Sequence, residues 1–350
     1  MEQFSPEQLV IEKQKLDLLK QELEEKNKQM WAMSETVYKE KKKMEEQLKE
    51  ILQEKSGLEI QKKQNEEKVK MLWAQSTAIH NEKERIDKLK TQVEYRHKEI
   101  IDSVHYAKKI QQAILPSQEL IYSFLPDSFI FFKPKNIVSG DFYWAHRIDE
   151  NQVLFAAVDC TGHGVPGAFM SIMGYHLLEQ VIMEHKMVEP ALILNQLSKS
   201  VVKSLKQTNE LGSVKDGMDI ALCKIDYKNY ELEFAGAHNS LYLIRDGVLT
   251  ETKADRKSIG ISLSKSDHFF NHKIKLEKGD CLYIFSDGFV DQKGGPDNNK
   301  FFYQPFKQLL IDIHQLSMQD QKQKLEKIIS AWKGDKEQID DILVIGVRIT

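Results

Sequence analysis

Residues 153–164 read Val153-Leu-Phe-Ala-Ala-Val-Asp-Cys-Thr-Gly-His-Gly164. The apolar run from Val153 to Val158 predicts a buried β-strand. It ends at Asp159, where a carboxylate arrives just as glycines begin to open the backbone. A strand that delivers an acid to the edge of a sheet is a good place to hold a hard cation. The design recurs in Cys281-Leu-Tyr-Ile-Phe-Ser-Asp287-Gly288. It recurs again, reversed, where Asp340-Asp341 precedes the run Ile342–Arg348. A fourth acid, Asp141, lies in Ser139-Gly-Asp-Phe-Tyr143, one strand upstream of Asp159.

Outward from these acids, the chain divides by composition. Between Pro6 and Pro116 there is no proline, and Gly57 is the only glycine before residue 116. The first 115 residues carry 23 of the 50 Lys and Arg and 22 of the 53 Asp and Glu. Such a stretch is one long helix or is disordered, and periodicity decides between them. Steps of seven from Leu9 to Ile114 meet sixteen residues, all apolar except Asn65. This heptad seam predicts a left-handed, parallel, two-stranded coiled coil over residues 1–115, with Asn65 fixing its register. The second seam is poorer, with Glu40, Glu54 and Lys68 in register with Leu19, Met33, Leu89 and Ile110. Trp31-Ala-Met-Ser recurs as Trp73-Ala-Gln-Ser, 42 residues on, which keeps the register and supports one rod of about 150 Å. The rod is either a passive dimerisation stalk or a carrier of signals from an upstream sensor into the domain it abuts.

Residues 116–350 alternate strands and helices and predict an α+β domain of about ten strands. Strands are expected at Ser128–Phe132, Phe142–Ala145, Asp219–Ile225, Glu231–Ala237, Ser240–Arg245, Phe269–Leu276, Asp280–Phe285 and Asp340–Ile349. Asp246-Gly247 marks a hairpin turn. Helices are expected at Gly167–His185, from Pro190 to about Lys206, and from a capping box at Ser317 to near Trp332. Gly212–Gly217 reads as a loop.

A net charge of −3 points to neither nucleic acid nor an anionic membrane. The three cysteines read as small buried hydrophobes in a reducing compartment. The N-terminus lacks a secretory pattern, and no apolar run approaches the roughly 18 residues a membrane helix requires. The expectation is a soluble cytoplasmic protein.

Acids converging from distant strand ends form an all-oxygen set suited to Mg²⁺ or Mn²⁺. Two such ions about 4 Å apart can activate water for in-line attack on phosphorus. Taken singly, Asp287-Gly288 also fits an ordinary turn and Asp340-Asp341 a solvated loop. His163 could serve as a base or ligand, but within a glycine-rich turn it reads rather as a local hydrogen-bonding residue. No phosphate-binding glycine loop, Cys-x-x-Cys pair or Gly-x-Ser-x-Gly elbow competes.

Taken in order, Val138-Ser-Gly-Asp-Phe-Tyr143, Asp159-Cys-Thr-Gly-His-Gly164, Phe285-Ser-Asp-Gly288 and Asp340-Asp-Ile342 resemble the metal motifs of the PPM (type 2C) serine/threonine phosphatases. The resemblance is to the bacterial SpoIIE/RsbU-type branch and covers about residues 105–350. The lead-in Ile110-Gln-Gln-Ala-Ile-Leu-Pro116, Asp216-Gly-Met-Asp219 and Ala235-Gly-Ala-His-Asn239 share in it. It implies two packed antiparallel sheets flanked by helices around a binuclear Mn²⁺/Mg²⁺ site. Asp159 would bridge the ions, Asp141 would bind one, and Asp287 and Asp340 would complete the other. The backbone carbonyl of Cys160 would add a ligand, and Asp219 would lie near a further, weaker position. The reaction implied is attack of metal-activated water on phosphoserine or phosphothreonine of a regulatory protein resembling an anti-sigma-factor antagonist. In that branch the helices after the Gly-His-Gly turn couple the site to dimerisation or to upstream domains. Two departures stand out: Cys160 where glycine is common, and Leu343 where the branch commonly has threonine. No arginine matches the phosphate-binding one of the eukaryotic enzymes, leaving Lys133 and Lys135 as candidates. A silent phosphoprotein-binding scaffold and a hydrolase of a small phosphorylated metabolite remain the alternatives.

Overall fold

The computed structural model describes residues 5–208, 210, 215–261 and 268–350. Half of the loop expected at Gly212–Gly217, residues 212–214, therefore falls outside the described residues. The chain divides into two compact units, Met1–Glu94 and Tyr95–Thr350.

The first unit is helical throughout its described length and belongs to α1 (Pro6–Ile114). Its heptad seam makes no buried contact within the chain: Leu16, Leu72 and Ile79 are 57%, 55% and 70% exposed. An apolar stripe of this length on an isolated helix leaves its hydrophobic stabilisation unrealised until a partner covers it.

In the second unit, the end of α1 is followed by α2 (Gln118–Phe124), which Ser117 caps by accepting from the Leu120 N–H. Then come β1 (Ser128–Lys133), β2 (Phe142–Arg147), β3 (Gln152–Cys160), α3 (Gly164–His185) and α4 (Pro190–Ser204). Strands β4 (Met218–Asp226), β5 (Glu231–Ala237), β6 (Leu241–Arg245), β7 (Val248–Thr252), β8 (His272–Lys275) and β9 (Cys281–Phe285) continue the chain. It closes with α5 (Gly288–Asp291), β10 (Lys293–Gly294), β11 (Asn299–Lys300), α6 (Tyr303–Ile313), α7 (Met318–Lys333) and β12 (Ile342–Arg348).

Two five-stranded antiparallel sheets result, ordered β1-β12-β9-β6-β7 and β2-β3-β4-β5-β8, with β10 and β11 as a small separate hairpin. Residue alternation explains how they stack. On β3, Val153, Phe155 and Ala157 face the core between the sheets, with Ala221, Leu282, Ile284, Leu343 and Ile345. Leu154, Ala156 and Val158 face the other way, into the core made with α3 and α4. On β9, Leu282 and Ile284 point inward, while Cys281, Tyr283 and Phe285 meet α6 and α7 through Phe306, Leu310, Leu325 and Ile329. Central strands buried on both faces must be apolar at every position, so they appear in the sequence as unbroken runs. The architecture is helix, sheet, sheet, helix.

The expected α+β class and the sandwich are therefore observed. The run Phe269–Leu276 yields only the four-residue β8, and α2, α6 and the β10–β11 hairpin were not anticipated. Helix α6 has no side-chain cap: its N-cap is Phe302, at φ 66° and ψ 158°. A helix begun without Ser, Thr, Asp or Asn gives no starting signal in the sequence.

Candidate metal centre

The four acids lie at strand ends of the two sheets, close enough to act on one another electrostatically. Asp141 immediately precedes β2, whose first residue Phe142 pairs with Val158; Asp159 follows on β3 and pairs with Asp219 on β4. In the other sheet, Phe285 at the end of β9 pairs with Val344 on β12. The Ser286 N–H donates to the Leu343 carbonyl at 3.0 Å, and the Leu343 N–H donates to Ser286 Oγ at 3.0 Å. This clasp fixes Asp287, which starts α5, beside Asp340 and Asp341, which lead into β12.

Burial and mutual repulsion dominate the electrostatics. Asp141 is 2% exposed, and its Oδ2 has no hydrogen-bond partner. Burial first, then the Asp159 charge, holds its carboxyl well above the usual range, against a hydrogen bond from Ser286. Burial, then Asp287, Asp340 and Asp219, pushes Asp159 up to about 8. Asp287 is pushed up to about 6 by burial, Asp291, Asp340 and Asp219, with Lys300 opposing. Burial also raises Asp219, against a Ser258 hydrogen bond and the nearby His238. Carboxylates that resist ionisation together are groups for which a divalent cation is the natural counter-charge.

The acids share one electrostatic site, yet among the described residues no three His, Cys, Asp or Glu side chains are already drawn into a ligand shell. The Cys160 thiol is buried, which leaves its carbonyl as the group it can offer. That carbonyl oxygen lies 3.4 Å from where a Cβ on Gly140 would stand, and the Gly162 carbonyl oxygen lies at 2.3 Å. Only glycine permits this approach, so the stretch before Asp141 rests directly on the turn after Asp159. On the other side, a Cβ on Gly288 would meet the Asp341 carbonyl oxygen at 1.8 Å.

Asp341 has a separate task. Its Oδ1 accepts from the Lys135 N–H and its Oδ2 from the Gly140 N–H, both at 2.7 Å. It thus ties β12 to the loop that carries Asp141. Lys135 donates from Nζ to His163 Nε2 at 2.8 Å, and His163 Nδ1 lies 3.0 Å from Asn136 Oδ1. An ammonium can only donate, so the His163 proton sits on Nδ1 and faces Asn136. This matches the local hydrogen-bonding role expected for His163. Lys133 lies on β1, and its carbonyl accepts from Gln338 Nε2 at 2.7 Å.

Sequence reasoning missed Gln111. It lies in the last turn of α1 within the second unit and is 5% exposed. Its Nε2 donates to the Ser139 carbonyl at 2.7 Å and to Ser171 Oγ on α3 at 2.8 Å. The Ser139 N–H returns a bond to Gln111 Oε1 at 3.2 Å. The lead-in Ile110-Gln-Gln-Ala-Ile-Leu-Pro116 includes it, but a glutamine between seam positions Ala107 and Ile114 reads as a solvated face and gives no sign of burial.

Two antiparallel sheets flanked by helices, with interacting acids at their strand ends, define the PP2C-type phosphatase fold. Residues 149–350 match the family described as Stage II sporulation protein E (SpoIIE), and the chain belongs to that family. The SiaA-PP2C domain of Pseudomonas aeruginosa is 32% identical and superposes with a TM-score of 0.66, over 73% of this chain and 98% of that domain. The phosphoserine phosphatase RsbU of Bacillus subtilis is 25% identical over 225 residues, 63% of this chain and 62% of the relative. A structure of the SpoIIE PP2C phosphatase domain with a fragment of its regulatory domain, from Bacillus subtilis, shares the fold at 17% identity and a TM-score of 0.53. It covers 64% of this chain and 63% of that one. The chain spans 62% and 57% of the length of the two Bacillus phosphoserine phosphatases it matches, RsbU and RsbP.

Proposed function

We propose that the chain is a metal-dependent protein-serine/threonine phosphatase acting on a phosphorylated regulatory protein. The observation that carries this reading is the Oδ2 of Asp141, buried and unpartnered amid carboxylates that raise one another's pKa. A buried acceptor without a partner is costly, and a hard divalent cation would satisfy it. The donor set is all oxygen, as Mn²⁺ and Mg²⁺ prefer. Asp141, Asp159, Asp287, Asp340 and the Cys160 carbonyl would hold the ions, with Asp159 shared between them, and Asp219 would serve a further, weaker position. Once bound, the ions would supply an activated water for in-line attack on phosphorus. The chain's own residues would hold that geometry. Asp341 fixes the backbone before Asp141, the Ser286–Leu343 clasp fixes Asp287, and Lys135 with His163 offers positive charge for a phosphate oxygen at the rim.

The seam of α1 supports a parallel homodimer, and Gln111 supports signal gating. The same side chain bonds the backbone two residues before Asp141 and the helix after the Gly-His-Gly turn. Movement of the end of α1 would therefore alter both at once. Three buried free thiols suit a reducing, cytoplasmic setting. Among the described residues no helix is long and apolar enough to cross a membrane.

The deciding measurement is phosphoserine-peptide hydrolysis with and without Mn²⁺, for the wild type and for Asp159→Asn and Asp287→Asn. Mn²⁺-dependent turnover that falls at least roughly a hundredfold in both variants is expected. Turnover that ignores Mn²⁺, or survives both changes, would refute the reading. If the wild type is silent, deletion of residues 1–100 tests whether α1 holds it off.

A further inference from the structure

Two aromatic side chains stand in solvent at the start of α6, on a segment bonded to the short helix that follows Asp287. Phe302 and Tyr303 are 55% and 48% exposed, while the neighbouring Phe301 and Phe306 are buried. The segment is held firmly. The Phe301 ring sits edge-on to Phe289 and Trp332, with centroids 5.2 and 5.4 Å away. The Phe301 N–H donates to the Gln292 carbonyl at 3.0 Å, and the Phe302 N–H to the Val290 carbonyl at 2.8 Å. Val290 belongs to α5, which begins directly after Asp287, so the exposed rings are registered to the helix that one acid of the site starts. Lys300 donates to Asp291 at 2.7 Å. The Tyr303 phenol is raised by burial and then by the charges of Asp287 and Asp291, in keeping with its place beside the acids.

Three local requirements argue against phenylalanine at 302. At φ 66° and ψ 158° the backbone occupies a region that suits glycine almost alone. As the N-cap of α6 the position favours Ser, Asp or Asn, and no side-chain cap bond forms. Exposure of more than half the ring leaves its apolar surface in water. A contact made only in a complex would account for all three.

On the phosphatase reading above, we propose that Phe302 and Tyr303 form an aromatic ledge that packs against an apolar side chain flanking the phosphorylated residue of the substrate polypeptide. The ledge sets specificity: two rings on a segment anchored to α5 cover one aliphatic side chain, whereas a glycine or a charged residue at that place leaves them wet.

The test uses the full chain with Mn²⁺ and two phosphoserine hexapeptides that differ only in having leucine or glycine at the flanking positions. The wild type should prefer the leucine peptide by about tenfold in kcat/KM, the order expected for partial burial of one aliphatic side chain. Phe302→Gly should bring that ratio close to one and also raise the unfolding midpoint, because glycine relaxes the backbone. A purely structural phenylalanine would not pair lost preference with gained stability. Tyr303→Ala, which leaves the strained position untouched, should lower the ratio independently. A wild type that uses both peptides equally, or a ratio unchanged in both variants, overturns the ledge alone. Turnover of neither peptide, by the full chain or by the chain without residues 1–100, overturns the phosphatase reading together with it.

Discussion

The Asp341 Oδ2 accepts the Gly140 N–H at 2.7 Å, across 201 residues of sequence, and so fastens the last strand to the residue before Asp141. Its neighbour Asp340 makes no such tie to that loop; its Oδ1 accepts from the Asp341 N–H at 2.9 Å. The two adjacent aspartates therefore fail differently when changed. Asp341→Asn turns an amide towards backbone N–H donors and leaves one buried and unpaired, which costs about 1–3 kcal/mol. Asp340→Asn removes a repelling charge and keeps the loop. Thermal unfolding without metal should show Asp341→Asn melting lower and Asp340→Asn at or above the wild type, while both lose Mn²⁺-dependent turnover.

The acids also predict a pH dependence of metal-free stability. Asp159, pushed up to about 8, keeps its proton in the folded state over a range where the unfolded chain has lost it. Below about pH 4 both states are protonated and the group is neutral in effect. As pH rises from there towards 8 the folded state binds more protons than the unfolded state, so stability falls. Asp287, pushed up to about 6, adds to the fall in the lower part of the window. Unfolding midpoints in a chelator should drop between pH 5 and 8, and Asp159→Asn should flatten the slope. Mn²⁺ should stabilise the wild type more at pH 8 than at pH 5, because it displaces these protons.

Gln111→Ala removes three hydrogen bonds and strands the N–H of Ser139, whose carbonyl keeps only the Ser171 Oγ donor at 3.2 Å. The expected result is a loss of about 1–3 kcal/mol in stability and a steeper loss of turnover at limiting Mn²⁺ than at saturating Mn²⁺. Equal loss at all Mn²⁺ concentrations would mean that Gln111 does not govern the order of the loop carrying Asp141.

Charges placed on the α1 seam test assembly. Leu72→Glu with Ile79→Glu, two heptad positions that are 55% and 70% exposed in the single chain, should convert a dimer to a monomer in sedimentation. Turnover in the monomer should differ from that of the dimer; identical turnover would make α1 a passive stalk.

Much of this protein is legible in its sequence because its central strands are buried on both faces. Val153–Val158 and Cys281–Phe285 are apolar runs that lead to Asp159 and Asp287, and Ile342–Val347 is one that Asp340 and Asp341 precede. What stayed hidden has physical causes. Helix α6 lacks a cap signal because Phe302 stands where a capping side chain is expected. Gln111 looks like any polar residue of a charged helix, since its two partners, Ser139 and Ser171, lie 28 and 60 residues away. Asp341 could not be told from Asp340, because adjacent acids differ only in where the backbone points them.

The origin of the acids has one more consequence. Asp141 and Asp159 ride on one sheet, Asp287 and Asp340 on the other, and the layers touch through Phe155, Ile284 and Leu343. The sandwich therefore behaves as the two jaws of a caliper whose opening is set by how thickly those side chains fill the gap. Trimming Leu343 to alanine would thin that filling and shift the two pairs of acids relative to each other.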